Sequence, residues 1–282
     1  MPAIEIEAVS YRYPDTTSMV LKNIDLKINE GEFVGIIGPN SAGKTTLCLT
    51  MNGVIPHSIG GKLQGRIVVD GMNTLDHTVP ELAVKVGLVV SDPEAQLLQL
   101  TVEEEVAFGP ANLGVPREEI FQRTKEMIAL VGLQGKESRF PLSLSGGEMQ
   151  RLAIASVLAM NPKIIILDEP TANLDPVGTM EVFSVMQQIK EQTKMTVVMA
   201  EHQIEHLVQF ADRILVMDDG EVILDGAPRE IFKETETLAK IGIEPPEVTE
   251  MSDLLLKDHG ISLGRAPLTI EEAYKLITER LA

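Results

Sequence analysis

The 282-residue sequence predicts an α/β fold: a largely parallel sheet around a phosphate-binding loop, with an antiparallel β subdomain, a helical insertion and a small C-terminal helical domain. Three observations carry this expectation. First, the apolar run Phe33-Val34-Gly35-Ile36-Ile37 leads into Gly38-Pro39-Asn40-Ser41-Ala42-Gly43-Lys44-Thr45-Thr46, which opens a helix over residues 45–52. Buried strand, glycine-bounded turn and Lys-Thr at a helix start is the order a phosphate cradle requires. Second, short apolar runs recur at residues 86–90, 164–167 and 196–200, as strands buried on both faces of a parallel sheet do. Third, the run at 164–167 ends in Asp168-Glu169, two acids at the carboxyl edge of the sheet, where open α/β folds bind ligands.

In the loop, glycine lets backbone N–H groups turn inward with no Cβ in the way, and the helix start adds its partial positive charge. Lys44 is placed to reach the β- and γ-phosphates as a point charge, and the Thr45 hydroxyl to ligate Mg²⁺. A glycine-rich turn that binds nothing has no need of two glycines, a lysine and a hydroxyl at those offsets.

Bulk properties narrow the partners. A net charge of −18 argues against a nucleic-acid surface, which needs clustered Lys and Arg, and against direct insertion into or binding to an anionic lipid face. No apolar run approaches the roughly eighteen residues that span a bilayer, and the start of the chain lacks a signal-peptide pattern. The expectation is a cytosolic protein that reaches a membrane only through another protein. The single cysteine, Cys48, falls on the helix after the loop, as a small buried filler with no disulfide partner.

In chain order, residues 4–9 and 21–28 alternate apolar and polar side chains as half-buried strands, and an antiparallel pair beside the loop can present an aromatic ring to an adenine. Tyr13 is the candidate for that stacking; a tyrosine packed on the sheet is the plain alternative. A short strand at 66–69 and a helical stretch after Pro80 precede the buried strand at 86–90, which ends in the polar loop Ser91-Asp92-Pro93-Glu94-Ala95-Gln96. Helices are expected from Thr101, with acids in its first turn, and over 116–131, so that a helical insertion occupies about 97–160. Ser145-Gly146-Gly147-Glu148 then starts an apolar helix and exposes backbone donors at its N-terminus, which reads as a second anion site; taken alone, a plain N-cap is the alternative.

Asp168 is expected to hold the Mg²⁺ shell and Glu169 to act as base on an attacking water. A helix around 180–193 leads to the strand at 196–200, and His202 just beyond it is a candidate partner of the γ-phosphate or of the lytic water. Residues 213–217 and 221–224 read as a hairpin turning at Asp219-Gly220. Helices at 229–241 and 248–258 follow, and a last one starts with the capping box Thr269-Ile270-Glu271-Glu272, with Ile270, Ala273, Tyr274 and Ile277 on one apolar face.

Taken together, 145–151 and 164–170 make the chain resemble the ATP-binding cassette (ABC) ATPases, a P-loop NTPase family. The resemblance makes 38–45 the phosphate loop, 144–148 the signature, Asp168 and Glu169 the paired acids, 173–175 the D-loop and His202 the switch histidine, over nearly all of 1–230. Asp92-Pro93-Glu94-Ala95-Gln96, the run Thr101-Val102-Glu103-Glu104-Glu105-Val106-Ala107-Phe108-Gly109 and the tail around Pro245-Pro246-Glu247-Val248 look like the energy-coupling factor (ECF) importers of cobalt, nickel and vitamins. Two departures stand out: Ser91 replaces a glutamine that in the family helps bind Mg²⁺ and links nucleotide to membrane partner, and Glu148 replaces a glutamine of the signature.

What the resemblance implies is an ATP sandwich with Mg²⁺. Each nucleotide lies between the phosphate loop of one subunit and Ser145, Gly146 and Gly147 of another, in a homodimer or a heterodimer with a related ABC ATPase. The dimer sits on the cytoplasmic face of the cell membrane, held by an integral membrane coupling subunit, while a separate membrane subunit binds the substrate. Residues 231–282 form a C-terminal helical domain and dimerisation element. Two other readings stay open: the ATPase of another ABC importer, and a soluble nucleotide-gated ABC regulatory protein. A DNA-repair or translation ABC protein would show a long coiled-coil insertion, a basic face or two cassettes in one chain, and none is present.

Overall fold

The computed structural model describes residues 2–281 and opens with two antiparallel strands, β1 (Pro2–Arg12) and β2 (Leu21–Asn29). Ile4, Ile6, Val9 and Tyr11 face Leu21, Ile24, Leu26 and Ile28 in the core. The strict alternation of β1 breaks between Ile6 and Val9, where Ala8 takes φ 48° and the register shifts, so the strand outruns the 4–9 expected of it. The chain continues through β3 (Phe33–Ile37), α1 (Lys44–Met51), α2 (Val54–His57), β4 (Lys62–Val69) and β5 (Met72–Asn73). β4 begins before the expected residue 66 because Gly65, at φ 88°, lets it run against β1: a Cβ there would lie 2.5 Å from the Ala8 carbonyl. The antiparallel sheet has the order β2-β1-β4-β5.

Next come α3 (Val79–Ala83), β6 (Val86–Val89), α4 (Val102–Asn112), α5 (Arg117–Leu130), α6 (Gly146–Ala159), β7 (Ile164–Asp168), α7 (Pro176–Gln192), β8 (Thr196–Ala200), α8 (Ile204–Phe210), β9 (Arg213–Asp218) and β10 (Glu221–Gly226). The second sheet has the order β10-β9-β3-β8-β7-β6, parallel throughout except for the β9–β10 hairpin. Helix starts match their caps: the Thr101 hydroxyl accepts from Glu104 N–H at 3.1 Å, and Asp175 accepts from Gly178 N–H at 2.7 Å. That Asp175 cap starts α7 several residues before the expected 180.

Period-two alternation divides the parallel strands between two cores. Val34, Ile36, Ile164, Ile166, Val198 and Ala200 face α1 and the antiparallel sheet. Phe33, Ile37, Ile165, Leu167, Val197 and Met199 face the helices on the other side. Each fully buried Ile or Val contributes about 2 kcal/mol, so the sheet is fixed from both sides. The insertion joins the second core through Val102, Val106, Ile128, Leu152 and Ile154.

The C-terminal region departs from expectation. The single helix expected at 229–241 is two, α9 (Pro228–Ile231) and α10 (Thr235–Lys240), because Ile231 and Phe232 turn into the main core and Glu234 N–H pairs three residues back, with Ile231. α11 (Glu247–His259) and α12 (Ile270–Leu281) follow. The expected apolar face of α12 is divided: Ala273 is buried, Ile277 half-buried, and Ile270 and Tyr274 are 74% and 71% exposed. The expected capping box is also altered, since Glu272 accepts from Leu268 N–H at 3.0 Å while its own N–H donates to the Thr269 hydroxyl at 3.2 Å.

Candidate active site

The neighbouring strands β3, β8 and β7 end at one edge of the sheet, and each carries part of the site beyond its last residue. The phosphate loop follows β3, Asp168-Glu169 ends β7, and Glu201-His202 follows β8; Asp168 and Ile36 both pair with Ala200, so the three ends are level. Gly38 lets the loop pass close under β9: a Cβ there would lie 2.3 Å from the Met217 carbonyl oxygen. Ser41, at φ 65°, and Gly43, at φ 104°, complete the turn into α1.

α1 is almost wholly sunk between the two sheets, with Thr46, Leu47, Cys48, Thr50 and Met51 buried. Burial pushes the Cys48 thiol pKa well up, which leaves it a packing group. Lys44, only 4% exposed, donates to the Gly38 carbonyl at 3.0 Å and lies 3.4 Å from Glu169 Oε1 and 3.4 Å from His202 Nε2. His202 Nε2 is 2.9 Å from the same Glu169 oxygen. Glu169 reaches both because its backbone turns left-handed at φ 49°, a strained conformation for a glutamate, pinned by Glu169 N–H donating to Ala200 O at 2.9 Å.

Thr45 Oγ1 donates to Asp168 Oδ1 at 3.1 Å, since alternation along β7 turns Asp168 toward α1. Burial raises the Asp168 pKa, as does the neighbouring Glu169 charge, against the lowering hydrogen bond from Thr45. One hydroxyl and one carboxylate side by side suit a hard cation that completes its shell with water and phosphate oxygens. Among the described residues no cluster of three or more His, Cys, Asp or Glu could hold a metal by itself.

Tyr13 lines the cavity of about 300 Å³ over the loop, together with residues 40–46 and Glu169. Its hydroxyl is 3.0 Å from Thr46 Oγ1 and its ring meets Tyr11 edge-on at 5.0 Å, so the ring is both packed and facing the cavity. On the other flank, Gly38, Pro39, Asn40 and His202 share a cavity of about 330 Å³ with Gly242, Ile243 and Glu244. Ser145, Gly146, Gly147 and Glu148 line neither cavity. They start α6, where the Ser145 hydroxyl accepts from Glu148 N–H, and the Glu148 carboxylate accepts from Ser145 N–H at 3.1 Å and pairs with Lys136.

Residues not picked out from the sequence also shape the site. Buried Glu201 accepts from the Thr171 hydroxyl and the His202 N–H, both at 2.7 Å, and so ties the β7 exit to the histidine; its signal was an acid directly before that histidine. Arg151 donates to the Val131 carbonyl at 2.9 Å and pairs with Glu181, clamping α6 to α7. Beside this clamp Gly147 and Gly178 meet, so that a Cβ on Gly147 would lie 3.0 Å from Gly178 Cα. The Gln96 amide donates to the Leu88 carbonyl and its oxygen accepts from Val90 N–H, both at 3.2 Å, so the side chain is engaged by the backbone beside Ser91.

A mostly parallel sheet whose level strand ends bring a phosphate loop, an Asp-Glu pair and a histidine together defines a P-loop ATPase. A model described as ABC transporter matches residues 21–172. A protein of Pyrococcus abyssi, provisionally classed as an ABC transporter ATP-binding protein, is 47% identical over 281 residues, 100% of each chain. The energy-coupling factor transporter ATP-binding protein EcfA1 of Caldanaerobacter subterraneus is 42% identical over 278 residues, 97% of this chain and 98% of its own. Among solved structures, cbiO1 of Clostridium perfringens, described as part of the ABC transporter complex cbiONQ, aligns with TM-score 0.74 at 34% identity over 85% of this chain and 94% of its own. The chain belongs to the ABC transporter family and is an ATP-hydrolysing ABC ATPase. Such ATPases dimerise and work with membrane subunits, and among the described residues no helix is long and apolar enough to cross a membrane.

Proposed function

We propose that this chain is the ATP-hydrolysing subunit of an ECF-type importer, bound at the cytoplasmic face of the cell membrane and powering uptake of a metal ion or vitamin-like micronutrient. The observation that carries the chemistry is the convergence of Lys44, Thr45, Asp168, Glu169 and His202 on one sheet edge. The importer class is supported by the end-to-end likeness to EcfA1 and by the cbiO1 fold.

In this reading Tyr13 stacks on the adenine, and Lys44 with the loop N–H groups binds the β- and γ-phosphates. Thr45 and Asp168 hold Mg²⁺, which when bound offsets phosphate charge. Glu169 takes the proton of the attacking water, and His202, hydrogen-bonded to it, orients that water toward the γ-phosphate. Ser145, Gly146 and Gly147 close the site of a partner subunit, and loss of the γ-phosphate breaks that bridge. Charge is spread over fixed donors, so catalysis is positioning and electrostatics.

A groove of about 340 Å³ supports a membrane partner. Leu98, Phe108, Leu113 and Met160 line it, and Leu98 and Leu100 beside it are 71% and 73% exposed. Buried Glu105 fixes this rim by accepting from Leu98 and Gln99 N–H at 2.7 and 2.8 Å. We read 231–282 as the dimerisation element, with Ile270 and Tyr274 as its exposed apolar pair.

The test is purification of the chain from native membranes with its integral subunits, followed by ATP-dependent uptake in vesicles. Absence of any membrane subunit would favour the regulatory reading, to which Ser91 gives its one specific support.

A further inference from the structure

The signature segment carries a charge problem, and the structure carries its solution. An α-helix N-terminus is equivalent to roughly half a positive charge, which is what would attract a phosphate oxygen of the partner's nucleotide to the Ser145, Gly146 and Gly147 donors. Glu148 places a full negative charge in that first turn, tied there by its hydrogen bond to Ser145 N–H. One carboxylate outweighs the helix dipole and would repel the anion.

Lys136, twelve residues upstream in the turn after α5, ion-pairs with Glu148, and the two side chains are 29% and 20% exposed. The turn is shaped to deliver it: Lys136 N–H pairs with the Leu133 carbonyl at 3.1 Å, the Lys136 carbonyl accepts from Arg139 N–H at 2.9 Å, and Glu137 is occupied by Gly135 N–H at 3.0 Å. The Lys136 hydrogen bond holds the Glu148 pKa below the ordinary carboxylate value, against burial and with help from Ser145 N–H and Arg151, so the carboxylate stays ionised and keeps its need for a counter-charge. With Lys136 present, the tip of α6 returns to the sign a phosphate requires.

We propose that Lys136 is a positioning residue of the nucleotide-dependent dimer: by neutralising Glu148 it lets the α6 N-terminus accept a phosphate of the partner's ATP. This rests on the sandwich reading above. It also gives Glu148, a departure from the family's glutamine, a matching partner in the same chain.

The experiment follows ATP-dependent dimerisation by analytical ultracentrifugation in a Glu169→Gln background, against ATP concentration. Lys136→Gln is expected to raise the midpoint about tenfold at low ionic strength, and the shift to shrink when salt is raised to about 0.5 M. Adding Glu148→Gln to Lys136→Gln is expected to bring the midpoint back to within about threefold of the parent, because glutamine keeps the capping hydrogen bond while removing the charge. Lys136→Arg, which keeps the cation, stays within that same range. Thermal melts accompany each variant, and Lys136→Met supplies the same comparison if Lys136→Gln does not fold. A single variant with the parent's midpoint, or a double variant as weak as the single, overturns the role of Lys136 alone. A parent that forms no ATP-dependent dimer overturns the sandwich itself, and this role with it.

Discussion

Lys44 Nζ lies 3.4 Å from Glu169 Oε1, although one residue opens α1 and the other stands one place beyond β7. The cation that would bind phosphate and the carboxylate that would activate water are thus held together before any reaction, and the left-handed turn at Glu169 is the backbone cost of that arrangement. Replacing this carboxylate by an amide of the same shape keeps the contacts and removes the base. Glu169→Gln is expected to lower steady-state phosphate release by about 100-fold or more while ATP binding persists and an ATP-bound dimer accumulates. An unchanged rate would take Glu169 out of the reaction.

Gly38 offers a steric prediction. A Cβ at this position would stand 2.3 Å from the Met217 carbonyl oxygen, a backbone atom of β9 that cannot swing aside. Gly38→Ala is expected to cost about 3 kcal/mol in urea unfolding and to abolish nucleotide binding, since loop and strand must separate. A wild-type unfolding midpoint would contradict the tight packing of β9 on the loop.

Ser91 is short, and Gln96 is tied to the backbone at Leu88 and Val90. Ser91→Gln is therefore expected to lower the Mg²⁺ concentration needed for half-maximal ATPase activity several-fold. An Mg²⁺ titration that superimposes on the wild type would show that residue 91 is remote from the metal shell.

Glu272 links α12 to the rest of the chain, pairing with Arg229 and accepting from Leu268 N–H. Burial pushes its pKa up, but the Leu268 hydrogen bond and the Arg229 and Arg265 charges outweigh it, and the net value is below the ordinary 4.5. A depressed folded pKa means that the undocked segment binds protons more readily. The stabilisation is therefore complete above about pH 4.5 and is lost as pH falls through the lower folded value. Hydrogen exchange in 266–281 is expected to speed up selectively over that acid window, and Glu272→Gln to remove the pH dependence.

The meeting of the candidate residues at one sheet edge was legible in the sequence because its signals are local. Phe33–Ile37 is wholly buried, and the loop, Asp168, Glu169 and His202 all follow buried runs directly. What escaped depends on contacts between distant residues. The break at 232–234 exists because Phe232 finds the main core, and Ile270 and Tyr274 are exposed although their spacing matches a core face. Periodicity marks an apolar face without saying what covers it. Likewise the partners Lys136 for Glu148 and Glu181 for Arg151 come from separate helices or turns, and no spacing rule announces them.

The alternation of β7 between two cores has one more consequence. Leu167 belongs to the core on the helical side, and Asp168 turns to the opposite side, onto Thr45. Removing one residue upstream in this strand would invert every side chain after the deletion, driving the carboxylate among Leu and Val and presenting a hydrocarbon to the Thr45 hydroxyl. Folding and chemistry thus read the same parity, and the strand has no frame in which it could keep one and forfeit the other.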